Sequence, residues 1–415
     1  MILTPADYKT EGGNMPPESV TLKKTIIEPD ALFGFSKAYA EAGLSPDFCA
    51  VYDENTYLAT QDRRPNATQE IVLPPQNLHA DERGIELVMS QLRPTQTIVA
   101  VGSGTVHDIA RYCAAQIGAK YVSVPTAASV DGFASGTSSM TLNGLKVTVH
   151  AVSPCLMIAD TTIIARAPAY LGTSGVGDIL GKHIALADWR ISHLLTGEPF
   201  YPGIEALTRK AVEEVSACMD ELKTGSTEAY GKLMRALVLS GVAMQLAGMS
   251  RPAAGAEHYI SHLMDMNLPW LADIQALHGE KVGVGTLLCA DLYRSWTGMQ
   301  PEDVFAKLHP YTVPAAADVE DVFARAAEIV TKENADNCLA AVSPALLQKN
   351  WPQIQSIVAA IPPSAQIQEA LLSLGGKTTL TDLGVDEALL PKVLHWSAYV
   401  RNRFTFMRVY QFMYA

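Results

Sequence analysis

The segment from Thr97 to Val124 limits what this chain can fold into more tightly than any other stretch. Thr97-Ile98-Val99-Ala100-Val101 is a short apolar run, rich in β-branched residues and stopped by glycine, which is the pattern of a buried strand. Gly102-Ser103-Gly104-Thr105 follows. Beyond it Val106, Ile109, Ala110, Cys113, Ala114 and Ile117 recur on one helical face, and Gly118 stands where a left-handed cap residue ends a helix. Tyr121-Val122-Ser123-Val124 reads as a second strand. Strand, glycine turn, helix and strand make a βαβ unit. Its helix N-terminus presents unsatisfied N–H groups and the positive end of a dipole, both favourable to phosphate.

The turn alone does not define a dinucleotide site. A GxGxxG fingerprint would carry a third glycine where His107 stands, with an acid about 20 residues further on at a strand end, and no acid occupies that place. An ordinary strand–helix turn fits the same residues. Composition narrows the class. At 415 residues the chain is long enough for two domains, and 48% hydrophobic with 18% charged residues is a globular balance. A formal net charge of −12 opposes binding to nucleic acid or an anionic membrane. Six scattered cysteines without a CxxC spacing read as buried thiols of a reducing compartment. The polar stretch Met1 to Lys24 lacks a signal-peptide core, and Ala236 to Met249, broken by Ser240 and Gln245, is too short to span a bilayer. These features predict a soluble cytoplasmic protein.

Short apolar runs alternate with helices up to residue 170. A helix is expected over Ala31 to Ala42, a strand at Phe48 to Tyr52, a helix from Asn55, a strand at Ile71 to Leu73, a helix over Arg83 to Leu92 and a strand at Cys155 to Asp160. Beyond Pro168 the periodicity is helical throughout: Gly175–Leu195, Gly203–Leu222, Glu228–Gly248, Glu257–Met266, Glu280–Trp296, Val319–Thr331 and Asp386–Tyr410. The expected fold is an α/β N-terminal domain (residues 1–170) with a mostly parallel, Rossmann-like sheet, followed by an all-helical C-terminal domain (171–415). A ligand site is expected between them.

Asp178 lies in the glycine-rich, apolar stretch Gly175–Lys182, where a carboxylate is costly unless paired or coordinated. His258 and His262 are four residues apart and share a helix face, and His278 follows in Leu277-His278-Gly279-Glu280. Two imidazoles and a carboxylate, with one position open, form the ligand set of a catalytic divalent metal that suits zinc, nickel or ferrous iron. Each histidine taken singly reads more readily as an ordinary core or surface residue, and it is the combination with Asp178 that shifts the balance. Asp53, at the end of a strand, could accept a hydrogen bond from an adenine ribose and disfavour a 2′-phosphate, or serve as a solvated turn acid.

Gly102-Ser103-Gly104-Thr105-Val106-His107-Asp108, Pro125 to Phe133, Gly175 to Lys182, Glu257-His258 with His262, and His278 to Lys281 together resemble the sn-glycerol-1-phosphate dehydrogenase family. That family belongs to the glycerol dehydrogenase, iron-containing alcohol dehydrogenase and dehydroquinate synthase superfamily. The resemblance runs from about residue 45 to 300, and the long helical C-terminus is similar to the family's bacterial branch. One departure is Ser103, where the family has glycine. The resemblance implies that Gly102, Gly104, Thr105, Val106, His107, Asp108, Thr126, Ser129 and Ser135 line NAD(H) or NADP(H); Asp53 is a cofactor candidate only from its place at a strand end. It also implies that Asp131 and His262 touch the substrate, and that Asp178, His258 and His278 hold one divalent ion, zinc or nickel. The activity so implied is reduction of dihydroxyacetone phosphate to a glycerol phosphate by a homo-oligomer, a dimer by family habit. Lys146, Lys182 and Lys281 are candidates for the substrate phosphate. Rival readings are a glycerol dehydrogenase acting on the unphosphorylated polyol, a cyclase or lyase of the dehydroquinate synthase kind, and a non-catalytic nucleotide-binding descendant.

Overall fold

The computed structural model describes residues 1–10, 12–143, 145–271 and 274–413. The chain divides into two compact units, one of Met1–Ile179 with Gly203–Met249 and the other of Leu180–Pro202 with Ser250–Ala415.

The first unit is built on a sheet of seven strands in the order β1-β2-β9-β6-β5-β3-β4. These are β1 (Ile2–Leu3), β2 (Lys24–Glu28), β3 (Cys49–Asp53), β4 (Gln69–Leu73), β5 (Thr97–Gly102), β6 (Lys120–Pro125) and β9 (Leu156–Asp160). Every pairing is parallel except that of β1 with β2. Strand β5 is buried along its whole length, because alternate residues face opposite sides and both sides are covered. Val99 and Val101 join Ala50, Tyr52, Val122 and Ile158 on one face, against Phe35, Ala38 and Tyr39 in and beside α1 (Phe35–Glu41). Ile98 and Ala100 join Cys49, Val51 and Ile71 on the other, against α4 (Gly104–Ile117) and α3 (Glu82–Met89). Between them in the chain, α2 (Glu54–Thr60) follows β3. Most of the apolar stripe read from the sequence is the buried face of α4: Val106, Ile109, Ala110, Cys113 and Ala114 are all fully enclosed, whereas Ile117, at the helix end, is exposed. Each Val or Ile so buried stabilises the unit by about 1.5–3 kcal/mol relative to exposure. Gly118 ends α4 in the left-handed region at φ 67°.

Two features of this unit are absent from the sequence reading. Strands β1 and β2 extend the sheet, and a separate antiparallel hairpin, β7 (Thr137–Leu142) with β8 (Leu145–His150), packs Met140 into the cluster around α4. The chain boundary also differs from a single cut after residue 170. Helix α5 (Thr161–Ile164) leads into α6 (Ala169–Thr196), which passes without a break from the first unit into the second. Helices α7 (Pro202–Ser216), α8 (Met219–Lys223) and α9 (Thr227–Ala247) then return to the sheet unit. They do so because α9 is apolar around nearly its whole circumference and is enclosed by β2, α5 and the 3-10 turn Asp131–Ala134.

The second unit contains no strand among the described residues. Helices α10 (Ala256–Met264) and α11 (His278–Thr297) are its inner pair. Around them lie α12 (Pro301–Phe305), α13 (Ala316–Phe323), α14 (Ala327–Glu333), α15 (Pro344–Ala359), α16 (Ser364–Ser373), α17 (Leu390–Ser397) and α18 (Tyr410–Met413). The single helix expected over Asp386–Tyr410 is broken: α17 stops at Ser397, and the chain runs irregularly to a 3-10 turn at Phe406–Val409. Phe406 accounts for the break. Its ring packs edge-on against Tyr293 and Trp296 of α11, and its N–H donates to the buried Asp188. No helix among the described residues is long and apolar enough to cross a membrane, and all six cysteines are free thiols.

Candidate active site

Strand order in the first unit reverses between β3 and β5. From β3 the chain adds β4 on one side, and from β5 it adds β6 and β9 on the other. In open α/β sheets the carboxyl ends of strands at such a reversal form the ligand crevice. Asp53 ends β3, and Gly102 ends β5 beside it. The first intrahelical bond of α4 runs from His107 N to Ser103 O, 3.2 Å. The N–H groups of Gly104, Thr105 and Val106 therefore have no acceptor within the helix, which makes this turn an anion cradle. A Cβ placed on Gly104 would meet only Val130 Cγ2, at 3.5 Å, so the backbone here stays open to close approach.

Side chains of this stretch divide. Val106 and His107 point into the core and leave only main-chain atoms for a ligand. The His107 ring bridges Ser103 O (3.0 Å) and Ser123 Oγ (2.9 Å) and sits edge-on to Phe133; burial and the Arg111 charge lower its pKa to about 3, so it is neutral. Desolvation raises the Asp108 carboxyl, opposed by Arg111 and Lys146. Asp53 is an N-cap: its Oδ1 accepts from Thr56 N (2.8 Å), and its own N–H donates to Thr56 Oγ1 (3.1 Å), a capping box for α2.

The loop after β6 carries the remaining expected positions. Thr126 N donates to Gly102 O (2.9 Å), fastening the loop to the glycine turn. Ser129 O accepts from Ser174 Oγ of α6 (3.2 Å). Gly175 makes that approach possible, because a Cβ there would lie 2.0 Å from Ala128 O. Ser135 turns its hydroxyl to Thr137 (2.9 Å) at the entry to the hairpin. Asp131, almost fully buried, receives Ser240 Oγ on its Oδ2 (2.8 Å), and its N–H donates to Asp178 Oδ2 (2.9 Å). A main-chain donor thus orients the Asp178 carboxylate.

On α10, Glu257 is wholly buried. Its Oε1 accepts from Gly255 N (2.9 Å) and pairs with His258 Nδ1 (2.7 Å). That contact assigns the ring proton to Nδ1 and leaves Nε2 as the donor atom, the carboxylate–histidine arrangement common behind metal ligands. His278 opens α11, with Nδ1 3.3 Å from Ser261 Oγ. The rings of His258, His262 and His278 cluster, with centroids 5.2–6.1 Å apart. Asp178, His258 and His278 each offer one ligand atom, and the three atoms lie within 4.8 Å of one another. A carboxylate and two imidazoles at this spacing fit one divalent transition-metal ion. Among the lysines, Lys281 is paired with Asp265, Lys146 donates to Ser139 O (3.3 Å), and Lys182 is fully buried.

Three supports escaped the sequence reading: Ser240, Ser261 and the carboxylate of Glu257. Ser240 is the polar break in an otherwise apolar helix, and Glu257 an acid beside a histidine in an apolar helix. Both are visible as anomalies, but nothing in their spacing names the partner.

A family model described as iron-containing alcohol dehydrogenase matches residues 26–168. A glycerol-1-phosphate dehydrogenase of Bacillus licheniformis is 30% identical over 400 residues, covering 94% of this chain and 89% of its own. One from Bacillus subtilis is 39% identical over 216 residues, 52% of this chain and 55% of its own. The fold is also that of a sulfoacetaldehyde reductase from Bifidobacterium kashiwanohense, solved with NAD+, at TM-score 0.58 and 16% identity over 94% of this chain and 96% of the other.

Proposed function

The chain belongs to the NAD(P)-dependent glycerol-1-phosphate dehydrogenase family, and from that premise we propose that it reduces dihydroxyacetone phosphate to sn-glycerol 1-phosphate, using NADH or NADPH and one divalent metal ion. The observation that carries this reading is the convergence of Asp178, His258 and His278, each already oriented by a neighbour: Asp131 N, Glu257 and Ser261. When bound, the ion supplies Lewis-acid polarisation of the ketone, and the dinucleotide supplies the hydride.

The chain's own residues do the rest. The free N–H groups at the start of α4 receive the pyrophosphate, and Thr126 and Ser129 border it. Asp53, with Oδ1 committed to Thr56, has Oδ2 left for the ribose, where its charge disfavours a 2′-phosphate. The Asp131 carboxylate accepts from Ser240 while its main-chain N–H donates to Asp178, and in this reading it serves the substrate hydroxyls. His262, one turn beyond His258, stays outside the metal shell and delivers the proton that the developing alkoxide requires. Lys146, Lys182 and Lys281 remain the candidates for the substrate phosphate.

The deciding measurement is NADH oxidation by metal-stripped protein refilled with zinc or nickel. We expect efficient turnover of dihydroxyacetone phosphate and weak turnover of dihydroxyacetone. Equal efficiencies would make the enzyme a polyol dehydrogenase, and absence of net NADH loss would point to lyase chemistry.

A further inference from the structure

We propose that Gln245 is a positioning residue for the substrate: its one side-chain amide ties the N-terminal arm of the chain, at Thr21, to the turn that carries Asp131. The inference rests on the reading of Asp131 given above, as the residue that serves the substrate hydroxyls. Gln245 is one of the two polar breaks in the apolar stretch Ala236 to Met249. The other, Ser240, binds the Asp131 carboxylate directly, Oγ to Oδ2 at 2.8 Å. Gln245 binds the far end of the same turn, its Nε2 donating to Ala134 O at 2.5 Å. Its Oε1 accepts from both donors of Thr21, the N–H at 3.3 Å and Oγ1 at 3.1 Å. These partners settle which way the amide points, because a main-chain N–H can only donate and a carbonyl can only accept.

Both ends of this bridge are fixed in place. Ala134 is fully enclosed, and a buried carbonyl left without a donor is costly. Thr21 is exposed, but Val20 and Leu22 on either side of it are fully buried and set its place in the chain. Upstream, the arm closes the end of α9: Met15 N donates to Leu246 O (3.0 Å) and Asn14 Nδ2 to Ala247 O (3.2 Å), carbonyls that a helix end leaves without partners. Downstream, Lys23 N donates to Cys155 O (3.1 Å) as the chain enters β2. The arm is thus anchored on both sides of Thr21.

The turn that it holds is short and closely seated. Ser135 N closes it on Gly132 O (3.0 Å). Gly241 of α9 lies against it, where a Cβ would fall 2.8 Å from Ala134 Cβ and 2.9 Å from Asp131 O. Ser240 therefore grips the first residue of the turn and Gln245 the last. With the second grip released, the Ala134 carbonyl must find another donor, and the turn pivots about the contact between Asp131 and Ser240. A displacement of about 1 Å at a group that orients a substrate costs up to roughly 100-fold in efficiency.

The test measures Tm and steady-state kinetics with dihydroxyacetone phosphate on the full-length, metal-loaded protein at saturating NADH. Gln245→Leu, which keeps the bulk and loses both bonds, should raise KM roughly tenfold or more. Gln245→Glu keeps an acceptor for Thr21 but, ionised, cannot donate to Ala134 O, and should raise KM as far. Thr21→Val removes one of the two donors and should raise KM less. If neither Gln245 variant folds, Thr21→Val decides, and an unchanged KM overturns the proposal. A merely structural role gives the opposite split: fewer active molecules lower kcat and Tm while KM holds, and that result overturns it as well. Asp131→Asn, run in parallel, separates this inference from the reading beneath it. If Asp131→Asn raises KM and the Gln245 variants do not, the positioning role fails and the reading of Asp131 stands. If Asp131→Asn leaves KM unchanged, or the unaltered protein does not turn over dihydroxyacetone phosphate, that reading fails and the positioning role falls with it.

Discussion

His258 and His262 stand one turn apart on the same face of α10, yet Glu257 makes them unequal. Its carboxylate pairs with His258 Nδ1 and so orients that ring, and no such acid precedes His262. Replacing His258 or His278 by alanine should abolish hydride transfer and remove the metal, read by elemental analysis of the purified protein. His262→Ala should keep full metal stoichiometry while lowering kcat or raising KM. E257Q retains the shape but weakens the ring's orientation, and a 10–100-fold loss in metal affinity is expected. His107 is a different kind of histidine, held neutral by burial at a pKa of about 3, against about 6.5 in the unfolded chain. Between those values the unfolded chain binds more protons, so stability falls as pH drops through the window, with a slope of up to about 1.4 kcal/mol per pH unit. Denaturant titrations from pH 7 to pH 3 should show that slope, and His107→Gln should flatten it. Asp53 invites a paired test. Asp53→Ser keeps a cap and should relax discrimination against NADPH without lowering Tm, whereas Asp53→Ala should in addition cost about 1 kcal/mol of stability.

Among the elements, the inner pair α10 and α11 depends on Gly285. A Cβ there would lie 2.6 Å from Glu257 O and 3.2 Å from Glu257 Cα. Gly285→Ala should therefore push the helices apart, costing about 1–3 kcal/mol in chemical denaturation and weakening metal binding through His258. How legible each element was in the sequence follows from how much apolar surface it repeats. Strand β5 and helix α4 bury unbroken patterns of Val, Ile and Ala, and they stand where the periodicity put them. Strand β2 has only Ile26 and Ile27, and the hairpin is rich in Ser and Thr with Met140 as its buried anchor, so neither stands out from loop sequence. The break after α17 was hidden because Phe406 and Met407 continue an apolar pattern while packing as a turn. For the site, residue types with costly burial, Asp178 and His258, could be singled out in advance. Asp131 N, which donates to Asp178, and Ser261 Oγ, which pairs with His278 Nδ1, come from segments 47 and 17 residues away and leave no local mark.

At the scale of the whole molecule, the division into two units crosses the chain near residues 179, 202 and 249. Residues 1–170 lack α9, which covers β2, α5 and the turn carrying Asp131. That fragment should show no cooperative thermal transition by circular dichroism. Metal should stabilise the intact protein by mass action, by about 2.7 kcal/mol at a hundredfold excess over Kd, and the His278→Ala variant should show no such gain. Helix α6 adds one more consequence. It carries Asp178 and, three residues on, Gly181, where an added Cβ would come within 2.7 Å of Val282 Cγ1 and 3.3 Å of Glu257 Cγ. The phase between the carboxylate and that seat is thus set by residue count alone, like teeth on a gear. Deleting one residue between them turns one against the other by about 100° and shifts it by about 1.5 Å. This helix should therefore accept a change of letter far more readily than a change of length.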